Sequence, residues 1–423
     1  MRSQMLRPAQ ILELQQRHLS RMVSFAHATL AFYRARLAPV MGSARGFDFS
    51  RWHEVPILDR ATVHAHLAEL EPPAVPPFAG PTGEKPTSGS SGLVLRLKRS
   101  DLLARFDIAL TQRAYSWWRL DPRATQVAIM TLANDPALLD PQGRRDWHFA
   151  DPAGRAYALQ ASATPQRQAQ FLRERNPDYL VTQPTMGEAL ADQVIDSGVA
   201  LGLKAVLTVG ESLHPEQRAL FNRAFGARTY DTYGCIEVGH VAAECPVCGC
   251  YHVNAESVLL EVVDDRGRPV APGETGRAVL TSLHNFAMPL IRYDIGDRIV
   301  TMARGNRCKR GLPSIAEIVG RENELFVTRT GERFFPSIQA RWVADYLDLI
   351  EVQFVQTDYE VVEIRYVPGN RGVPDRIDEL RALVEGRLGH GIKMKLVPLT
   401  ELPRPRGAKQ IMKLSLVPRP PPR

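Results

Sequence analysis

The sequence predicts an α/β protein in two parts: a large N-terminal domain with mixed sheets (residues 1–320) and a small α+β C-terminal domain (residues 321–423). Three observations carry this. Short apolar runs alternate with helical patterns through the first half, as in a largely parallel sheet. After about residue 250 the texture changes to "SVLLEVVDDRGRPVAPGETGRAVLTSL", two β-rich runs around Gly/Pro turns that predict antiparallel hairpins. Beyond "IVGRENE" a segment of roughly a hundred residues mixes one helical pattern with strand patterns, enough for a small separate domain.

Residues 8–38 have helical spacing through Ile11, Leu12, Leu19, Met22, Val23 and Leu30, and "DLLARFDIALTQRAYSWWRL" reads the same way. Tyr115, Trp117 and Trp118 fall on this second helix at the spacing of core residues, so they are not assigned to a substrate pocket. "QVAIMTL" at 126–132 reads as a strand. "DYLVTQ" precedes the helical "MGEALADQVIDSG", "KAVLTVG" at 204–210 precedes "HPEQRALFNRAFG", and "ARTYDTYG" follows. In the C-terminal part "VVEIRYV" and "IKMKLVPL" flank the helical "RIDELRALVEGRLG". The tail "VPRPPPR" reads as extended or disordered, and no internal repeat is evident.

At 423 residues, 44% hydrophobic and 23% charged, the composition is that of an ordinary soluble protein long enough for two domains. A net charge of +7 gives a mildly basic surface that suits a polyanionic small molecule. Basic stretches such as "RLKR" and "RPRGAK" are short and lack aromatic company, which argues against nucleic acid. No apolar run of about 18 residues exists, so no membrane span is expected. The N-terminus has no apolar core of a signal peptide, and the default compartment is the cytoplasm.

The stretch Thr87-Ser88-Gly89-Ser90-Ser91-Gly92 is ambiguous by itself. Glycines and hydroxyls can turn donors towards a phosphate, but linkers use the same residues, and the Gly-Lys-Ser/Thr of a P-loop is absent. It is followed in order by "TVGESL" (208–213), "DTYGCIEVG" (231–239), "PLIRYDIGD" (289–297), "VGREN" (319–323) and "RGAKQIMK" (406–413), and preceded by "EVPILDRATVHAH". This ordered set, spanning nearly the whole chain, resembles the adenylate-forming superfamily of acyl-CoA synthetases. Within it the chain resembles phenylacetate–CoA ligase and the capsule-biosynthesis-type relatives.

The resemblance implies roles residue by residue. Ser88, Gly89, Ser90, Ser91 and Gly92 would cradle the β- and γ-phosphates of ATP. Gly210 and Glu211 would border the adenine and the acyl pocket, Tyr233 would stack on adenine, and Asp231 and Gly234 would shape its turn. Glu237 would hold Mg²⁺, for which a hard carboxylate oxygen is the right ligand. Asp297 would accept from both ribose hydroxyls, and Arg321 would lie near ribose and phosphate. Lys409, in a mobile C-terminal segment after Gly407, would bridge the substrate carboxylate and the α-phosphate, with Lys413 as the second choice. At the hinge, where the family has Asp, this chain has Asn323 followed by Glu324.

Of five cysteines, Cys245, Cys248 and Cys250 are crowded together with His252 just beyond. "CPVCG" has the form of a zinc knuckle, which supplies two ligands where a structural zinc needs four. His252 and Cys308 are the remaining candidates, and the spacing leaves Cys248 and Cys250 as alternatives for one position. Relatives of phenylacetate–CoA ligase carry a metal site of this kind, although here one family cysteine of the later pair is replaced at "Asn306-Arg307-Cys308". Such a zinc would be structural, with no open coordination position. Cys235 reads as a small apolar filler.

The resemblance therefore implies ATP-dependent activation of a carboxylic acid, an aryl acid first, to acyl-AMP with release of pyrophosphate. Transfer to coenzyme A would follow. Two alternatives remain at this point: transfer to a carrier-protein thiol or an amine, and a catalytically silent zinc-stabilised homologue.

Overall fold

A computed structural model of the chain describes residues 3–42, 46–87, 95–130, 143–145, 147–151, 153–305, 308–334, 336, 338, 340–370, 376–403 and 412–417. It divides into two compact units. The first comprises residues 1–85, 97–295 and 299–318; the second comprises 86–96, 296–298 and 319–423.

The first unit is built on a long mixed sheet, 12-stranded among the described residues. Its centre is parallel: Arg155–Gln160, Thr125–Met130, Tyr179–Thr182, Ala205–Thr208 and Arg228–Cys235 run side by side in that order. The strands Tyr179–Thr182 and Ala205–Thr208 are buried at every position, as expected of parallel strands covered on both faces. Strand alternation sends Leu180 and Val206 to one apolar cluster, with Phe221 and Leu190. It sends Tyr179, Val181, Ala205 and Leu207 to the other, with Trp117 and Trp118. The tryptophans are thus core residues, as their helical spacing suggests.

Two helices on this sheet have clear start and stop residues. Pro184–Ser197 and Pro215–Phe225 each begin with Pro, whose missing N–H costs nothing in the first turn. They end at Gly198 and Gly226, which take the left-handed conformation at φ 65° and 62°. The N-terminal helical region is interrupted: Pro8–Thr29 ends where Leu30 turns extended, and Ala31–Leu37 follows. Thr29 Oγ1 donates to the Phe25 carbonyl at 2.8 Å, a side-chain bond that competes with the helical ladder there.

From Arg228–Cys235 the sheet continues antiparallel through Gly239–Glu244, Tyr251–Val253 and Ser314–Arg321. The predicted hairpin is present as Val258–Val263 paired antiparallel with Thr275–Ser282. In the second unit a four-stranded sheet has the order Lys393–Pro398, Val361–Pro368, Leu349–Asp358, Lys413–Ser415. The helix Ile377–Leu388 packs Leu380, Val384 and Leu388 into one cluster with Phe354, Val362 and Ile364 of this sheet.

Candidate functional site

The strands Ala205–Thr208 and Arg228–Cys235 are parallel, with Thr208 opposite Asp231. Gly210 and Glu211 therefore lie just beyond the carboxyl end of one strand, and Tyr233 and Gly234 at the carboxyl end of its neighbour. Gly210 has φ 76°, a left-handed conformation that favours glycine. The pairing with Gly239–Glu244 shifts register between Tyr233 and Gly234, and a Cβ on Gly234 would sit 3.0 Å from the Gly239 carbonyl oxygen. Glu211 accepts from the Thr185 backbone N–H (3.1 Å) and hydroxyl (2.6 Å), which places its carboxylate at the N-terminus of helix Pro184–Ser197.

Asp231 is buried and engaged. It accepts from Thr208 Oγ1 at 2.5 Å and from the Tyr251 hydroxyl at 2.8 Å. Its backbone N–H donates to Glu244, which pairs with Arg218 at 2.8 Å. Burial pushes its carboxyl up to about 7, against the opposing pull of the Thr208 and Tyr251 hydrogen bonds. Its side chain thus ties together the strands that carry Tyr233 and His252.

Glu237 is 4% exposed and pairs with Arg60, whose Nη1 lies 3.1 Å from its carboxylate and 3.4 Å from the Tyr293 hydroxyl. Arg60 reaches this place because its segment is fastened to the "LIRYD" stretch. Leu58 N–H donates to the Arg292 carbonyl (2.8 Å), and Asp294 N–H donates to the Leu58 carbonyl (2.9 Å). The buried Arg292 guanidinium donates to the carbonyls of His53 (3.1 Å) and Val55 (2.5 Å) and pairs with Glu261 at 3.0 Å. Sequence reasoning missed Arg60. The available signal was a basic residue in the "EVPILDRATVHAH" segment. Among the described residues Glu237 belongs to no group of three potential metal ligands, so it offers a cation one protein carboxylate.

In the second unit Asp297, largely buried, lies 3.7 Å from Arg321 Nε. Burial raises the Glu324 carboxyl above its usual range, Asp297 adds to this, and the charges of Arg321 and Lys413 oppose it. Lys413 sits on a strand paired with Leu349–Asp358, opposite Phe354. Ser88, Gly89, Ser90, Ser91, Gly92 and Lys409 lie outside the described residues. The residues flanking the glycine–serine stretch are fastened to each other: Thr87 N–H donates to the Leu95 carbonyl (2.8 Å), and Leu95 N–H donates to Thr87 Oγ1 (3.0 Å).

Cys245, Cys248, His252 and Cys308 form the group that could hold a metal ion among the described residues, with all four ligand atoms within 4.8 Å of one another. His252 Nε2 is 3.7 Å from Cys248 Sγ and 3.0 Å from Cys308 Sγ. A tetrahedral zinc with bonds of about 2.3 Å to sulfur separates its ligands by about 3.8 Å, so this donor set fits one. Ser314 Oγ hydrogen-bonds His252 Nδ1 at 2.9 Å and leaves Nε2 towards the sulfurs. Burial, with the charge of Arg310, pushes the imidazole down to about 4, which keeps it neutral as a ligand must be.

The loop owes its shape to backbone bonds: Cys245 N–H donates to the Cys250 carbonyl (2.8 Å) and Gly249 N–H to the Cys245 carbonyl (2.9 Å), with Gly249 at φ 72°. Cys248 is in the group, and Cys250 lies beside it with its sulfur 2.8 Å from that of Cys248. Arg310, also missed in the sequence, donates to Cys245 Sγ at 3.1 Å and stacks 4.5 Å over the Trp117 ring. Burial works to raise the Cys308 thiol, but hydrogen bonds from Arg310 and its charge outweigh it and hold the thiol below its usual range.

No protein-family model matches the chain. Over 274 residues it is 24% identical to a phenylacetate-coenzyme A ligase of Thermus thermophilus, a stretch covering 58% of this chain and 61% of that protein. Over 180 residues it is 28% identical to a phenylacetate-coenzyme A ligase of Escherichia coli, covering 41% and 40%. The matched stretches thus span less than two thirds of these relatives. Among solved structures, 2-hydroxyisobutyryl-CoA ligase in the postadenylation state with 2-HIB-AMP superimposes with a TM-score of 0.73 at 19% identity, over 99% of this chain and 92% of that one. The anthranilate CoA ligase in complex with anthranoyl-AMP has a TM-score of 0.54 at 16% identity, over 78% and 64%. The described chain has no helix long and apolar enough to cross a membrane. The protein has the fold of the adenylate-forming acyl-CoA ligases, and in sequence it is similar to the phenylacetate-coenzyme A ligases.

Proposed function

We propose that the protein activates a carboxylic acid with ATP and transfers the acyl group to coenzyme A. The substrate carboxylate attacks the α-phosphate, giving acyl-AMP and pyrophosphate. The thiol of coenzyme A then attacks the acyl carbonyl and AMP leaves. The observation that supports this most is the placement of Gly210–Glu211 and Tyr233–Gly234 at the carboxyl ends of neighbouring parallel strands. Open α/β sheets bind their ligands there. The buried Glu237 follows three residues later.

On this reading Tyr233 stacks on adenine and Gly210 lets the backbone approach the base. Asp297 accepts from the ribose hydroxyls, and Arg321 carries positive charge near the ribose and phosphate. Ser88, Gly89, Ser90, Ser91 and Gly92 take the β- and γ-phosphates, and Lys409 neutralises charge that develops between carboxylate and α-phosphate. Glu237 supplies the one protein carboxylate to Mg²⁺, the nucleotide phosphates filling other positions. Such an ion, when bound, neutralises phosphate charge. Arg60 fixes the Glu237 carboxylate in place. Cys245, Cys248, His252 and Cys308 hold a structural zinc, and its thiol-rich shell suits a reducing cytoplasm.

The similarity to phenylacetate-coenzyme A ligases makes aryl acids the first substrates to test, and coenzyme A the first acceptor. The experiment is acid-dependent AMP release across aryl, heteroaryl and short aliphatic acids, with and without coenzyme A. AMP release that needs both an acid and coenzyme A is expected. Release driven by a carrier protein or an amine instead would replace the acceptor, and nucleotide binding without turnover of any acid would favour a silent homologue.

A further inference from the structure

The cysteine cluster contains one thiol more than the metal-binding group uses. Cys250 is 4% exposed, and its sulfur lies 2.8 Å from that of Cys248, against about 2.05 Å in a formed disulfide. The two are separated only by Gly249, whose left-handed φ of 72° bends the chain so that both side chains turn to the same side. A Cβ on Gly249 would meet nothing within 4 Å, so its glycine serves the bend rather than close packing. Cys248 is the more exposed of the pair and is also one of the four residues whose ligand atoms converge.

We propose that Cys248 and Cys250 are an oxidisable dithiol, a modification site for peroxide, and that closing its disulfide releases the metal ion. The inference rests on the metal reading above. Peroxide oxidises the Cys248 sulfur, forming an S–O bond and breaking the O–O bond, and the second oxygen leaves as water. The Cys250 sulfur then attacks Cys248, the S–S bond forms, and the hydroxyl leaves as a second water. The metal-bound Cys248 thiolate, the Cys250 thiol, one hydrogen peroxide and one proton from solvent thus give one disulfide, two waters and the freed metal ion. The oxidised chain keeps Cys245, His252 and Cys308, one ligand short of a closed zinc site. Thiol reductant reverses the step by exchange.

The test uses the full chain as purified. Metal content is measured first, then hydrogen peroxide is added while metal release is followed with a chromogenic chelator and disulfides are mapped by mass spectrometry. The expected result is release of one zinc per chain together with loss of two hydrogens in the peptide carrying Cys248 and Cys250. Reductant with added zinc should restore both. Cys250→Ser should arrive with its zinc and release it about tenfold more slowly, because the resolving thiol is gone. Disulfides that join other cysteines in the wild type, or release from Cys250→Ser at the wild-type rate, would overturn the dithiol while leaving the metal site standing. Protein that purifies without metal would overturn the release step and the metal reading with it, whatever disulfide forms. The wild-type peptide map is decisive even if the variant does not fold.

Discussion

Glu237 and Arg60 meet at 3.1 Å although 177 residues separate them, and this distance explains why the pair was invisible in the sequence. The motif around Glu237 was legible. Its counter-ion was not, because a single basic residue in a loop has no local signature. The same holds for Ser314, which orients His252 from 62 positions away, and for Arg310 beside Cys245. Buried histidines also carry a testable consequence. His284 donates from Nε2 to the Glu256 carbonyl (2.8 Å) and stacks on Phe106 with ring centroids 3.7 Å apart. Burial pushes its pKa down to about 4, while in the unfolded chain it titrates near 6.5. As pH falls the unfolded chain takes the proton first. Stability from this group is complete above pH 6.5 and is lost between 6.5 and 4. His240 is likewise pushed down to about 4 by burial and by the charge of Arg113. Melting temperature should therefore fall over that window, and His284→Gln, which keeps a donor but cannot titrate, should flatten the fall. An unchanged slope in the variant would remove His284 from the explanation.

At the scale of elements, the parallel strands Tyr179–Thr182 and Ala205–Thr208 were legible because each is an apolar run followed by a helix with Pro at its start and Gly after its end. Two-residue strands such as Met41–Gly42 and Arg144–Arg145 were not, since so short a run has no period. The break at Leu30 was hidden by apolar residues that keep helical spacing on both sides of it. The turn that joins Arg228–Cys235 to Gly239–Glu244 depends on a glycine the sequence did not single out. Gly239 has φ 87°, and a Cβ there would lie 2.2 Å from Asp107 Oδ1. Asp107 cannot simply move, because it accepts from the His240 N–H at 2.8 Å and pairs with Arg99. Gly239→Ala should destabilise the first unit by about 1–3 kcal/mol through backbone strain and the displaced carboxylate. Thermal or urea unfolding reads this directly, and an unchanged midpoint would show that the turn tolerates a side chain. In the cysteine loop the spacing left Cys248 and Cys250 as alternatives. The bend at Gly249 places Cys248 with the other three potential metal ligands and leaves Cys250 at its side.

For the whole molecule, the alternation of strands and helices followed by hairpins was enough to read a mixed sheet, and the C-terminal texture was enough to read a small α+β fold. The described chain has both. What composition could not show is that the second unit draws in short stretches from far upstream, residues 86–96 and 296–298. Asp297 therefore belongs to the same unit as Arg321, and they pair at 3.7 Å. The measurement that bears most directly on adenylation is ATP–pyrophosphate exchange with Mg²⁺ and no coenzyme A, across a panel of carboxylic acids, on wild type, Lys409→Ala and Glu237→Gln. Adenylation predicts acid-dependent exchange in the wild type and a loss of about a hundredfold or more in each variant, the scale of removing a charge that stabilises the transition state. Exchange absent with every acid despite measurable ATP binding, or exchange undiminished in both variants, would contradict it.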